Sequence, residues 1–228
     1  VVAPRTLPAA GDGVNAMAVS RDGKLAVSTG NDRIVRVYDI TTGQVTKQLT
    51  GMAAAGRSVA ISADSSLVAA ADDQGTIKIW VIADGKNRVT LTGHAGAVLD
   101  LAFHPGGQQL VSTGADGTVR LWKSNFTQAQ VDAGEEPVER TFAGHAAAVN
   151  SVVFGPTGVW LVTAGADKTI RVWQTSDAKQ LGTLSGAAAA VNSLSISADG
   201  KRIAASSADR QTRTWVLPPT PSGNIALE

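Results

Sequence analysis

At 228 residues the chain has room for one large all-β domain or two ordinary ones, and its twenty Lys and Arg against nineteen Asp and Glu leave a formal charge of +1. No basic block draws nucleic acid and no polybasic strip suits a membrane surface, so neither is expected as a partner. The absence of cysteine excludes disulfides, thiolate metal sites and cysteine nucleophiles, and charged residues make up only 17% of the chain.

Read from the start, "VVAPRTLPAA" lacks the basic opening and apolar centre of a signal peptide, and no later apolar run approaches the ~18 residues that span a bilayer. A repeat follows. The stretches "GDGVNAMAV", "MAAAGRSVAI", "GHAGAVLDLAF", "GHAAAVNSVVF" and "GAAAAVNSLSI" place Val14, Gly56, Val98, Val149 and Val191 in one register. The period is about 42 residues, with an insertion of about nine in the third unit. The units are 8–49, 50–91, 92–142, 143–184 and 185–227, with a further outer-strand segment near 4–8.

Each unit reads as four short strands. In the fourth they are "VNSVVF", "WLVTAGA", "TIRVW" and "KQLGTL", rich in β-branched and aromatic residues and bounded by turns. "SRDGK", "HPGGQ", "GPTGV" and "SADGK" join the first two strands, with Gly supplying positive φ and Pro a pre-set φ. No stretch of ten or more residues has helical periodicity, so almost no helix is expected. The Ala- and Gly-rich composition points to a bacterial source.

Four strands per ~42 residues, opening on Gly-His and closing on Trp, resemble the WD-repeat β-propeller family. Gly93-His94 and Gly144-His145 match its Gly-His, and Trp80, Trp122, Trp173 and Trp215 match its Trp, with Tyr38 in that place in the first unit. The Asp that follows Trp in the family survives only as Asp39; Val81, Lys123, Gln174 and Val216 replace it. The resemblance implies an all-β propeller of five WD-type four-stranded blades. It also implies a hydrogen-bonded chain inside a blade, matched in full by His94, Ser112, Asp116, Trp122 and by His145, Thr163, Asp167, Trp173. The other units keep only parts of it: Ala10, Ser28, Asp32, Tyr38; Met52, Ala70, Gln74, Trp80; Ala187, Ala205, Asp209, Trp215.

Catalysis by these Ser, His and Asp residues is disfavoured. No Gly-x-Ser-x-Gly elbow is present, and the set recurs in two blades at the same spacing. "GDGVNA" fits a loose dinucleotide pattern without a helix to follow it, and no phosphate loop, H-E-x-x-H or calcium loop occurs. No catalytic residue, cofactor or metal is expected. His104 is expected to be an exposed turn residue.

The third-unit insertion, within "KSNFTQAQVDAGEEPVE", should by resemblance leave the face opposite the Gly-His loops. It holds a formal glycosylation acceptor, Asn125. Phe126 and Val131 could dock a partner, although a passive loop is favoured.

Outer-strand patterns number six against five of every other strand, because "RTL" at Arg5–Leu7 matches "RTF" at Arg140–Phe142. The N-terminal segment could complete the fifth blade, belong to a longer propeller, or be exchanged between copies. An incomplete or oligomer-completed array is favoured over a closed ring of five.

By resemblance the chain is a non-catalytic protein-interaction scaffold, in one reading the recognition part of a larger protein. The alternative is a self-assembling module whose partner is itself. The best candidates for partner contact on the rim are Asn15, Arg57, Leu99, Asn150 and Asn192, which follow small, nearly chargeless loops.

Overall fold

A computed structural model of the chain describes residues 6–8 and 10–217. They form five antiparallel sheets in chain order. Blade 1 is β1 (Val14–Val19), β2 (Leu25–Gly30), β3 (Val35–Asp39) and β4 (Val45–Leu49). Blade 2 is β5 (Gly56–Ile61), β6 (Leu67–Asp72), β7 (Ile77–Val81) and β8 (Asn87–Leu91). Blade 3 is β9 (Val98–Phe103), β10 (Gln109–Gly114), β11 (Val119–Lys123), a short helix α1 (Gln128–Asp132) and β12 (Val138–Phe142). Blade 4 is β13 (Val149–Phe154), β14 (Trp160–Gly165), β15 (Ile170–Gln174) and β16 (Gln180–Leu184). Blade 5 has three strands among the described residues, β17 (Val191–Ile196), β18 (Arg202–Ser207) and β19 (Thr212–Val216).

The sequence explains the layering. Second strands such as "LVAAAD" and "WLVTAG" lie between two neighbours and are buried along their whole length, so small and apolar residues run through them without alternation. In the turns from first to second strand, Gly23, Gly107, Gly158 and Gly200 have φ between 70° and 77°. The matching residue of blade 2 is Ser65, which takes φ 59° without the freedom glycine would have there.

Each blade buries one face against the next. Val35 and Val37 pack with Val59, Val68 and Trp80 between blades 1 and 2. Ile77 and Ile79 pack with Val98, Leu101 and Trp122 between blades 2 and 3. The same pattern joins blades 3 and 4 through Val119, Leu121, Val149 and Trp173, and blades 4 and 5 through Ile170, Val172, Val191 and Leu194. None of these clusters joins blade 5 to blade 1, and among the described residues the array is not a closed sheet.

The surplus outer-strand segment falls partly outside the described residues. Of it, Leu7 and Pro8 line an apolar cavity on blade 1, where the Pro8 carbonyl accepts from the Tyr38 hydroxyl at 3.4 Å. They are not in a strand. The one helix among the described residues is five residues long, in keeping with the near absence of helix expected. It arises inside the insertion, where the Thr127 amide donates to Gln130 Oε1 at 3.1 Å and starts one turn.

Candidate functional site

In blades 3 and 4 an indole, a hydroxyl, an imidazole and a carboxylate are hydrogen-bonded in series. In blade 3 the Trp122 indole donates to Ser112 Oγ at 2.8 Å, and Ser112 Oγ lies 2.7 Å from His94 Nε2. His94 Nδ1 lies 3.0 Å from Asp116, which also accepts the amides of Ala95 and Thr118. In blade 4 the Trp173 indole donates to Thr163 Oγ1 at 2.8 Å, Thr163 meets His145 Nε2 at 2.7 Å, and His145 Nδ1 meets Asp167 at 2.9 Å.

Satisfying all four groups fixes the proton positions. The indole takes an acceptor site on the hydroxyl, the hydroxyl donates to Nε2, and Nδ1–H donates to the carboxylate. The imidazole is neutral in this arrangement. Burial holds both histidines below the ordinary value, and the facing carboxylates only partly offset it. Burial opposes ionisation of Asp116, but the Ala95 and Thr118 bonds and His94 outweigh it and bring its carboxyl to about 2.

The His94 and His145 side chains are 0% and 1% exposed, with both ring nitrogens engaged. A Cβ at Gly114 would stand 2.5 Å from both His94 Nδ1 and Asp116, so glycine is what lets this chain close. The arrangement can hold a blade together and has no face to offer a substrate.

The incomplete units find substitutes. In blade 1 Ser28 Oγ and Tyr38 Oη lie 3.2 Å apart, and Asp32 accepts the Gly11 amide and pairs with Arg36 at 2.7 Å. In blade 2 Met52 is buried in the core with Trp80 and Ala70. In blade 5 Asp209 accepts the Ala188 amide and pairs with Arg213, while Ala187, Ala205 and Trp215 pack against the core shared with blade 4.

The rim candidates share a feature the repeat alignment does not announce. In every blade the pairing of first and second strands slips by one residue at its start, between Val14 and Ala16, Gly56 and Ser58, Val98 and Asp100, Val149 and Ser151, and Val191 and Ser193. The skipped residues are Asn15, Arg57, Leu99, Asn150 and Asn192. Each is the extra residue of a bulge, a device that re-aims a side chain away from the ladder.

Their engagement differs. Asn15 and Asn150 donate to the carbonyls of Gly56 and Val191 in the following blade, at 3.0 and 2.9 Å. Arg57 is half exposed and pairs with Asp73. Leu99 is half-buried and Asn192 exposed. The adjoining turns share this face: a Cβ on Gly75 would meet the carbonyls of His94 and Gly96.

At the other end of the inner strands, Val19, Ile61, Phe103, Phe154 and Ile196, the last residue of each, converge with Arg21 around one apolar mouth. This ring is legible only by comparing the same place in all five units. His104 sits beside it. It is half-buried, accepts the Gly106 amide at 2.9 Å and stands edge-on to Phe154, so it joins two turns and is not the exposed residue expected.

The insertion lies on that opposite side, where Ser124 and Asn125 line a groove with Asp64 and Pro105. Phe126 is buried, and Arg88 of blade 2 donates to the Asn125 and Phe126 carbonyls. Gln128 Oε1 accepts the Thr90 amide, which covers part of the edge of β8. Phe126 is therefore used within the chain. No cluster of three or more metal-ligating side chains occurs among the described residues, and no helix among them is long and apolar enough to cross a membrane.

The family described as WD domain, G-beta repeat matches the chain at residues 3–39, 44–81, 85–123, 137–174 and 178–215. Among individual proteins, "Ribosome biogenesis protein erb1" of Aspergillus niger is 50% identical over 40 residues, 18% of this chain and 5% of that protein. "WD repeat and HMG-box DNA-binding protein 1" of Homo sapiens is 41% identical over 54 residues, 24% of this chain and 5% of that protein. The likeness thus spans a small part of each relative. These relatives are fungal and human, and they lend the bacterial reading no support.

Proposed function

Because the chain belongs to the WD-repeat family, we propose that it works as a non-catalytic protein-interaction scaffold whose binding face carries the Gly-His loops. The observation that supports this is the bulge repeated in all five blades, at Asn15, Arg57, Leu99, Asn150 and Asn192. Asn15, Arg57 and Asn192 are the exposed polar groups of that set and Arg57 is its one cation, so an extended peptide with an acidic or phosphorylated residue fits it best. The relatives' names do not choose the partner, since the shared stretch is about one repeat. Burial of His94 and His145 supports the non-catalytic reading.

The test is selection from a displayed peptide library on the whole chain, followed by binding to Arg57→Ala, Asn192→Ala and, on the opposite mouth, Arg21→Ala. Enriched peptides should lose at least tenfold in affinity on the first two and be unchanged on the third. Peptides indifferent to both rim substitutions would overturn the assignment.

A second reading, self-association, is favoured by the exposure of Val14, Met17 and Val19 on β1. It is compatible with a binding face at the rim.

A further inference from the structure

The two ends of the array differ in chemistry. Every blade after the first buries the start of its inner strand against the blade before it: Val98, Val149 and Val191 are 1% exposed or less, and Leu101, Val152 and Leu194 are 8% or less. The matching residues of blade 1, Val14 and Met17, are 56% and 63% exposed. Next to them an apolar cavity of about 210 Å³ is lined by Leu7, Pro8, Val14, Met17 and Tyr38. This end has the side chains of an interblade core, and no blade among the described residues covers them.

The far face of blade 5 has different residues. Where blade 4 places Val153, Ala164, Ile170 and Val172, blade 5 places Ser195, Ser206, Thr212 and Thr214, all exposed, with Val216 the one large apolar side chain among them. A row of hydroxyls on an outer blade face meets water without penalty, as the polar outer faces of repeat arrays do. Packing it against Val14 and Met17 would bury hydroxyls without partners.

We propose that two copies of this chain associate through blade 1 alone, around a two-fold axis. Each copy then sets Met17 into the cavity between Leu7, Pro8 and Val14 of the other. The surface is self-complementary, since it offers both the projecting side chain and the groove, and it continues the kind of contact already made between blades. The hydroxyl-lined end of blade 5 stays in water, so association stops at two. This inference rests on the self-association reading and specifies its interface.

Sedimentation equilibrium of the whole chain over a wide concentration range tests it, with Met17→Glu on one end and Thr214→Glu on the other. The expected result is a reversible dimer with no larger species, weakened at least tenfold by Met17→Glu and unchanged by Thr214→Glu. Met17 is largely exposed, so the variant should keep its far-UV circular dichroism; if it does not, Met17→Ser must show the same direction of change. A monomer at every concentration would overturn both self-association and this interface. Open-ended growth, or a dimer sensitive to Thr214→Glu and not to Met17→Glu, would overturn the interface and leave self-association standing.

Discussion

Asp100 and Ser151 occupy the same register position in neighbouring blades, and the hydroxyl of the second donates to the carboxylate of the first at 3.0 Å. The same carboxylate accepts the Val152 amide at 2.9 Å, the Leu101 amide at 2.9 Å and the Ser58 hydroxyl at 3.2 Å. One side chain thus ties together the inner strands of three blades. Ser58 and Ser151 make the simpler version of the link, accepting the amides of Leu101 and Leu194 in the blades that follow.

Asp100→Ala should therefore destabilise the chain, with about 1–3 kcal/mol from the Val152 amide alone left without its partner. Burial pushes the Asp100 carboxyl up, and the bonds it accepts only partly offset this. The sign follows: folding favours the protonated form, so its contribution is largest below the unfolded value of 3.8 and declines as pH rises through the folded value. Wild type should exceed Asp100→Asn in stability by more at pH 4 than at pH 7. Urea unfolding of both proteins at the two pH values checks it.

The histidines act in the opposite direction. His94 and His145 are held below 6.5, so the unfolded chain takes up protons first and the stability they contribute is complete above pH 6.5 and lost as pH falls. Asp116 and Asp167, held below 3.8, add a further loss as pH drops below that value, for Asp116 toward about 2. The double variant His94→Gln, His145→Gln should start less stable at pH 7 and show a flatter decline between pH 6.5 and 4.5. Thermal unfolding across that range, beside wild type, gives the comparison.

Ser65 is the exception among five equivalent turn positions, and its φ of 59° is one that glycine adopts more cheaply. Ser65→Gly should raise stability by up to about 1 kcal/mol, the relief of a left-handed side chain being partly cancelled by glycine's larger unfolded entropy. A higher urea midpoint with an unchanged slope would be the signature.

The repeat made most of the fold legible, because the Trp80, Trp122, Trp173 and Trp215 spacing and the Gly-x loops recur whatever the surroundings. The two full hydrogen-bonded chains were legible for the same reason. Other features depend on contacts between units. Asp100 reads as one acid in a strand until Ser58 and Val152 are seen beside it. The bulges at Asn15, Arg57, Leu99, Asn150 and Asn192 leave no mark in composition, and they appear only when strand is paired with strand. The sequence favours a passive loop around Phe126 over a docking one, but it does not show that Arg88 on the neighbouring blade gives that loop a place to lie. The hydroxyls at Thr212 and Thr214 fit a strand as well as valine does, and their meaning comes from the blade face they occupy.

Two histidine-centred chains, at His94 and His145, hold their blades together. Amide exchange followed by mass spectrometry, resolved blade by blade, tests this most directly. The central strands of blades 3 and 4, around His94–Trp122 and His145–Trp173, should exchange most slowly, and His94→Ala and His145→Ala should each speed exchange in their own blade by at least tenfold. Equal exchange in all five blades, with no local effect of either substitution, would contradict it.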